Sequence, residues 1–124
     1  MGATEEAVIS RVCELYGAGD ADAMADLFDE NAVYDNVPMR KPLESRAAVR
    51  DWLKMVFEHF VVDIEVLHMA STGEWVLSER VDTHVDKDRR VPLPVMNVSR
   101  VVDGKIVVWK DYYCEKMVHD LGLG

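Results

Sequence analysis

Residues 91–114 read VPLPVMNVSRVVDGKIVVWKDYYC, and this stretch decides the fold of the chain. It is rich in valine and aromatic residues, which favour the extended backbone of a β-strand. The dipeptide Asp103-Gly104 divides the stretch in two, and Asp-Gly is a strong signal for a tight turn between antiparallel strands. We therefore predict a β-hairpin whose strands cover about residues 91–102 and 105–114.

The register of this hairpin stays open at the level of the sequence. A two-residue loop at the Asp-Gly turn would place Asp111 opposite Met96. A three-residue loop, with the glycine in the left-handed conformation, would place Asp111 opposite Val95. Because neighbouring residues of a strand point to opposite faces, a slip of one residue turns the whole strand over. Both registers are therefore kept as alternatives.

Two further strands are predicted just upstream, at residues 61–70 and 75–85, with a turn signal at Thr72-Gly73 between them. The separations along this part of the chain are short, which favours antiparallel pairing of consecutive strands. A shorter strand is predicted at residues 32–36. The second half of the chain is thus a meander of strands.

Upstream of residue 61 the apolar residues recur mainly with a helical period, and they predict three helices. The residues suited to begin or end these helices are Thr4, Gly17 and Gly19 for the first, Asp20 for the second and Ser45 for the third. The second helix would carry Met24, Leu27 and Phe28 as its apolar face.

Helices followed by a run of strands predict the α+β class. We expect a curved, mixed but mostly antiparallel sheet, packed with three N-terminal helices around a pocket. The length of 124 residues and the hydrophobic fraction of 49% predict a single domain over residues 1–124. No apolar run approaches the roughly 20 residues that are needed to span a bilayer.

The net charge of −9 disfavours nucleic acid and anionic membrane surfaces as partners, because both attract basic patches. A small neutral substrate remains compatible with this charge. The first residues lack the features of a secretion signal, and Cys13 and Cys114 form no metal or redox motif. These features favour a cytoplasmic protein with two reduced thiols.

Three of the predicted strands each carry a pair of polar or aromatic residues two positions apart. Residues i and i+2 of a strand point to the same face, so each pair projects together. If the three strands line one cavity, six such side chains meet there. The pairs are Tyr34 with Asn36, Arg80 with Asp82, and Trp109 with Asp111.

Arg80, Asp82 and Asp111 would form one charged group in such a cavity. Two ionised carboxylates beside one guanidinium leave a net negative charge, and burying an unbalanced charge is costly. One shared proton makes the group neutral, since Arg80 stays protonated. We therefore predict that one aspartate is an acid near neutral pH and that the other stays ionised.

An acid and a base on opposite sides of a cavity suit the opening of an epoxide by water. Asp111 would take a proton from the water as it attacks carbon, and Asp82 would give a proton to the ring oxygen. Tyr34 and Asn36 would hold the water. This scheme requires no metal, no organic cofactor and no covalent intermediate.

The same residues carry a resemblance to a known family. Residues 79–82 (Glu-Arg-Val-Asp), 107–112 (Val-Val-Trp-Lys-Asp-Tyr) and 34–36 (Tyr-Asp-Asn) are similar to three stretches of the limonene-1,2-epoxide hydrolases. That family belongs to the cone-shaped α+β folds, with ketosteroid isomerase and the SnoaL-like polyketide cyclases. The resemblance covers about residues 5–117, and its specificity comes from all three stretches occurring in order.

The resemblance implies a role for each member of the three pairs. Asp111 would be the base, Asp82 the acid and Arg80 the bridge between them, while Tyr34 and Asn36 would hold the water. It also implies a homodimer, a small, mostly apolar epoxide and water as reactants, a vicinal diol as product, and an indole N–H donated to an aspartate. The implied substrate-binding wall, which would favour the second hairpin register, consists of Met55, Val61, Leu93, Val95 and Trp109.

Two other classes of function stay open. The first is a different enzyme on the same scaffold, either an isomerase resembling ketosteroid isomerase or a polyketide ring-forming enzyme. These reactions need one base and a stabilised oxyanion, without a held water. The second is a non-catalytic dimeric ligand-binding module. In that case Arg80 and Asp82 would be an ordinary ion pair on a strand.

Overall fold

The computed structural model describes residues 2–122 and contains one five-stranded sheet with four α-helices. The helices are α1 (Gly2–Ala18), α2 (Ala21–Ala25), α3 (Arg46–His59) and α4 (Glu115–Asp120). The strands are β1 (Phe28–Asn36), β2 (Val61–Thr72), β3 (Trp75–Asp86), β4 (Arg89–Val102) and β5 (Lys105–Tyr112). A single 3₁₀ turn, Val37–Met39, follows β1.

The strands lie in the order β1-β5-β4-β3-β2. Consecutive strands from β2 to β5 pair in antiparallel fashion, and β1 pairs with β5 in parallel. The predicted α+β class with a mixed, mostly antiparallel sheet is therefore confirmed. The hydrophobic core lies between one face of this sheet and the helices α1, α2 and α3.

Two of the predicted helix caps are confirmed and one is wrong. Asp20 accepts a hydrogen bond from the Ala23 N–H, and Ser45 accepts one from the Ala48 N–H, both at 3.1 Å. Such caps satisfy backbone donors that the first helical turn leaves unpaired. The first helix, however, is already helical at Gly2, so Thr4 lies inside it and does not cap it.

The second helix is shorter than its apolar pattern suggests. It ends at Ala25, and Phe28 is instead the first residue of β1, where it is fully buried. The Ile106 N–H donates to the Leu27 carbonyl at 2.9 Å. Pairing with β5 therefore takes the chain out of the helix, and this contact joins residues far apart in sequence.

The turn between β4 and β5 is a two-residue loop, one of the two alternatives that the sequence left open. Asp103 and Gly104 have φ angles of 50° and 78°, and Val102 pairs with Lys105. Two consecutive residues with positive φ are typical of a type I′ turn, whose twist matches that of the flanking strands. The turn chemistry that the sequence predicts is thus present.

Both predicted registers of this hairpin are nevertheless wrong. A bulge next to Arg100 shifts the pairing, so that Asp111 lies opposite Asn97. Neither Met96 nor Val95 occupies that position. Because Val95 and Asn97 lie two residues apart on one strand, the second register gave the correct face although it gave the wrong partner. A bulge inserts one extra residue on one strand, and no turn signal reveals it.

The short helix α4 was not predicted. The last strand ends at Tyr112, and α4 follows over Glu115–Asp120. Val118 and Leu121 are buried, and Leu121 packs with Leu93 and Val95 of β4. This segment therefore packs against β4 and contributes to the lining of the cavity described below. None of the helices within residues 2–122 is long and apolar enough to cross a bilayer.

Candidate active site

The pairs on β1 and β5 lie side by side in the sheet. The parallel register places Tyr34 beside Trp109 and Asn36 beside Asp111. Because the two strands are in phase here, all four side chains project from one face, and all four are buried. The rings of Tyr34 and Trp109 stack with centroids 5.9 Å apart and an interplanar angle of 10°.

The pair on β3 reaches the same place. The side chains of Arg80, Asp82 and Asp111 are 1%, 3% and 4% exposed. Arg80 donates from Nε to Asp82 Oδ1 at 2.7 Å and from Nη2 to Asp82 Oδ2 at 3.0 Å. The same Nη2 donates to Asp111 Oδ2 at 2.8 Å. One guanidinium therefore bridges two buried carboxylates.

Asp111 has two more donors, which the neighbouring strands supply. The Trp109 indole Nε1 donates to Oδ2 at 2.9 Å, and Asn97 Nδ2 donates to Oδ1 at 2.8 Å. The Asn97 amide is itself oriented, because the Ser99 hydroxyl donates to its Oδ1 at 2.7 Å. Asp82, by contrast, accepts side-chain hydrogen bonds from Arg80 alone among the described residues.

This asymmetry determines where a shared proton resides. Hydrogen bonds donated to a carboxylate stabilise its charged form, so the three donors favour a negative charge on Asp111. Burial raises the pKa of Asp82, and the Arg80 guanidinium counteracts only part of that rise. The arrangement thus favours a proton on Asp82 and a charge on Asp111, which pairs with Arg80 and leaves the group neutral.

Besides its hydrogen bonds to the two aspartates, the Arg80 guanidinium contacts an aromatic ring. Its guanidinium carbon lies 5.2 Å from the centroid of the Trp109 ring, a distance at which a cation is attracted to an aromatic face. The remaining nitrogen, Nη1, is buried and has no hydrogen-bond partner within residues 2–122. Three hydrogen bonds and one contact with the Trp109 ring therefore fix the cation between Asp82 and Asp111.

The raised pKa of Asp82 predicts a specific pH dependence of stability. Because this pKa is higher in the folded protein than in the unfolded chain, folding takes up a proton, and the free energy of unfolding falls as pH rises from about 4 through the raised pKa. Asp82→Asn removes this contribution. Urea unfolding of both proteins over a pH series measures the difference.

The exposed Asp88 offers a matched control for that experiment. Asp88→Asn should shift stability by a similar small amount at every pH. For Asp82→Asn, the stability relative to the wild type should rise steadily with pH. A difference that stays constant across the series would show that Asp82 has the same pKa in both states.

The two aspartates border a small cavity between the sheet and the helices. The centre of a water-sized sphere can reach about 20 Å³ of it, which is room for roughly one water molecule. Its apolar lining consists of Trp52, Val56, Leu93, Val95, Val118 and Leu121. Its polar lining consists of Tyr16, Asn36, Asp82, His84, Asp111 and Tyr113.

A family model for the SnoaL-like domain matches residues 9–109 of this chain. The chain belongs to the SnoaL-like domain family. It is also similar to the epoxide hydrolase EphG of Mycobacterium tuberculosis, with 27% identity over 94 residues that cover 76% of this chain and 62% of EphG. The chain therefore spans a little under two thirds of the length of that relative.

Two solved structures share the fold of this SnoaL-like domain. An LEH-like epoxide hydrolase of M. tuberculosis matches with a TM-score of 0.86 and 20% identity, over 96% of this chain and 89% of that one. SalBIII, an epoxide hydrolase/cyclase-like enzyme in pyran ring formation of the polyether salinomycin, matches with a TM-score of 0.83 and 23% identity, over 91% and 92%. The family model thus confirms the SnoaL-like group to which the sequence resemblance points, and the two structures share its fold.

The SnoaL-like pocket uses only part of the predicted substrate-binding wall. Leu93 and Val95 line the cavity, but Met55 and Val61 do not. Val61 is 64% exposed, because it begins β2 opposite Val85 on the outer face of the sheet. Alternation along β2 therefore turns it away from the pocket. The prediction that Met55 and Val61 line the pocket is therefore wrong.

Trp109 and Tyr34 lie behind the cavity rather than on its surface. Trp109 is fully buried and contacts the site through the predicted donation from its indole N–H to an aspartate. Tyr34 is 1% exposed and packs against that indole. Of the two residues predicted to hold water, Asn36 is the one that borders the cavity.

Four polar residues of the site were missed by the sequence prediction. Asn97 shares the inward face of β4 with Val95 and Ser99. An amide side chain on a face that starts with apolar residues was the available signal that Asn97 belongs to the site. Its partnership with Asp111 depends on the bulge, which the sequence does not show. The other three, which line the cavity from different elements, are Tyr16, His84 and Tyr113.

Proposed function

We propose that this protein is an epoxide hydrolase that adds water to a small epoxide in one step and gives a vicinal diol. The observation that carries the proposal is the bridge from Arg80 to Asp82 and Asp111. Two buried carboxylates on one cation, with unequal sets of donors, provide a proton donor and a proton acceptor in one cavity.

In the proposed reaction the oxygen of a water molecule attacks one ring carbon. Asp111 accepts the proton that this water loses, the bond from that carbon to the ring oxygen breaks, and Asp82 gives its proton to that oxygen. When the diol leaves, Asp111 carries a proton and Asp82 is ionised. Return of the proton to Asp82 restores the resting state, and Arg80 remains charged throughout.

The position of Asn36 supports its role as a holder of the attacking water. It lies beside Asp111 in the parallel register and borders the cavity that Asp111 also borders. An amide oxygen there would accept a hydrogen bond from one O–H of a water molecule whose other O–H donates to Asp111. Tyr34, the second holder that the resemblance implies, lies behind the cavity, where its ring stacks on Trp109.

Turnover of an epoxide panel tests the proposal. Purified protein would be offered cyclohexene oxide, limonene oxide, styrene oxide and a long-chain fatty epoxide, with formation of the diol measured against the uncatalysed rate. We expect diol from at least one epoxide with the wild type and none above background with Asp111→Asn. Absence of turnover across the panel, or equal turnover by the variant, would contradict the proposal.

The cavity predicts a restriction on substrate size. It holds roughly one water, and Leu121 of the C-terminal segment closes one side, so a larger substrate requires this side chain to move. Leu121→Ala should raise kcat/KM for limonene oxide relative to cyclohexene oxide by about tenfold. The exposed Leu67 provides the control variant Leu67→Ala. An unchanged ratio would show that this segment does not limit access.

A ring-forming enzyme is the second candidate function, and the similarity to SalBIII favours it. The same acid and base would open an epoxide with a hydroxyl of the substrate instead of water. A flexible epoxy alcohol distinguishes the two, because hydrolysis gives a triol and ring formation gives a cyclic ether. The homodimer that the resemblance implies stays a prediction, which sedimentation would test.

A further inference from the structure

Three polar side chains on the cavity wall have no part in the proposed hydrolysis. They are Tyr16 from α1, His84 from β3 and Tyr113 from the end of β5. A pocket that accepted only hydrocarbon epoxides would have no use for hydrogen-bonding groups at these positions, since an unpaired polar group loses its bonds to water when the substrate enters. These three groups are placed to bind a polar group of a ligand.

His84 presents a hydrogen-bond acceptor. It follows Asp82 by two residues on the inner face of β3 and is 5% exposed. Its Nδ1 lies 3.3 Å from the backbone oxygen of Asp82, and because a carbonyl oxygen only accepts, the ring proton resides on Nδ1. Burial lowers the pKa of His84, so the ring is neutral near pH 7. Nε2 is left with a lone pair.

The orientation of this imidazole is fixed by packing. Phe60 meets the His84 ring edge to face, with centroids 5.3 Å apart and an interplanar angle of 88°. No side chain or backbone group of residues 2–122 donates a hydrogen bond to Nε2. The acceptor is thus held in place and is available to a ligand in the cavity.

Two tyrosines that line the same cavity carry hydroxyl groups that can donate. Burial raises the pKa of both Tyr16 and Tyr113, so both hydroxyls keep their protons. Tyr16 is held by an edge contact with Phe57 at a centroid distance of 5.6 Å. Besides the two aspartates and Asn36, the cavity lining therefore includes one acceptor and two donors, and a hydroxyl group can bond to both kinds.

We infer that the substrate carries a hydroxyl group in addition to its epoxide, and that Nε2 of His84 accepts a hydrogen bond from this hydroxyl. The inference rests on the proposed function, because it places the epoxide at Asp82. Alternate residues of a strand are roughly 7 Å apart, so the hydroxyl lies several ångströms from the ring oxygen. Neither an ether nor a ketone can donate to Nε2, which makes the hydroxyl the preferred group.

Three rigid probes test this inference. They are styrene oxides that carry a methyl, a hydroxymethyl or a methoxymethyl group in the para position, where the substituent is too far from the epoxide to react with it. We expect the wild type to prefer the hydroxymethyl compound by about tenfold in kcat/KM over both others. His84→Leu should remove that preference. His59→Leu, the same change at an exposed histidine, should retain it.

Binding to the Asp111→Asn variant separates this inference from the proposed function. Calorimetric affinities for the three intact epoxides should rank as the kcat/KM values do, and the preference should disappear in the Asp111→Asn, His84→Leu double variant. Preferential binding of the alcohol without any diol formation by the wild type would overturn the hydrolase function alone. Equal affinities, or a preference that survives His84→Leu, would overturn the hydroxyl recognition.

Discussion

Asp111→Asn is expected to lower kcat for epoxide hydrolysis by at least about 10³-fold while the protein stays folded. The amide oxygen can still accept from Arg80 and Trp109, but it cannot take a proton from water. The variant also loses the acid. With one negative charge gone, Arg80 pairs with an ionised Asp82, and the proton that Asp82 would donate is no longer retained.

Activity and folding must be measured together for this variant. Circular dichroism and thermal unfolding would show whether the sheet persists, and initial rates of diol formation would give kcat. Asp86→Asn, at an exposed position near the β3–β4 turn, provides a matched control that should keep full activity. A folded Asp111→Asn protein with more than about a tenth of the wild-type kcat would exclude Asp111 as the base.

Arg80→Lys is expected to lower kcat by at least about 10²-fold and the free energy of unfolding by about 1–3 kcal/mol. Arg80 donates from two nitrogens to Asp82 and from Nη2 to Asp111 as well. An ammonium group is a compact point charge and does not reproduce this planar fork. One of the two carboxylates would lose its partner, and the shared proton would no longer be held by the same geometry.

Arg90→Lys is the matched control, because Arg90 is 61% exposed and pairs with Asp63 on the surface. Exposed ion pairs contribute little, so this change should leave both kcat and stability almost unchanged. Diol formation and urea unfolding would be measured for both variants. Near-normal kcat in a folded Arg80→Lys protein would show that a single positive charge suffices and that the bridge is not required.

The fold class was predictable because its signals are local. Alternation along residues 75–85 and 91–102 gives the strands, Asp103-Gly104 gives the turn, and capping by Asp20 and Ser45 marks two helix starts. Spacing by two residues also predicted that each polar pair shares a face. The three pairs converge because of the order of the strands in the sheet. The short connections between consecutive strands and the family resemblance suggested this order.

The errors arise where contacts between distant residues override local pattern. The bulge at Arg100 changes the partner of Asp111, and pairing with β5 ends α2 before Leu27. The exposed position of Val61 follows from the phase of β2, which its composition does not reveal. Leu121 lines the cavity because the chain forms α4 just before it. This helix has six residues, which are too few for a helical period to be recognised in the sequence.

The central claim is that Asp111 activates water and does not itself attack the epoxide. A single-turnover reaction in isotopically labelled water, with enzyme in excess over an epoxide that the panel identifies, measures this most directly. Mass spectrometry of the diol and of the Asp82 and Asp111 peptides would locate the heavy oxygen. We predict label in the diol and none in either aspartate. Label in an aspartate carboxylate, with an unlabelled diol after the first turnover, would contradict the account.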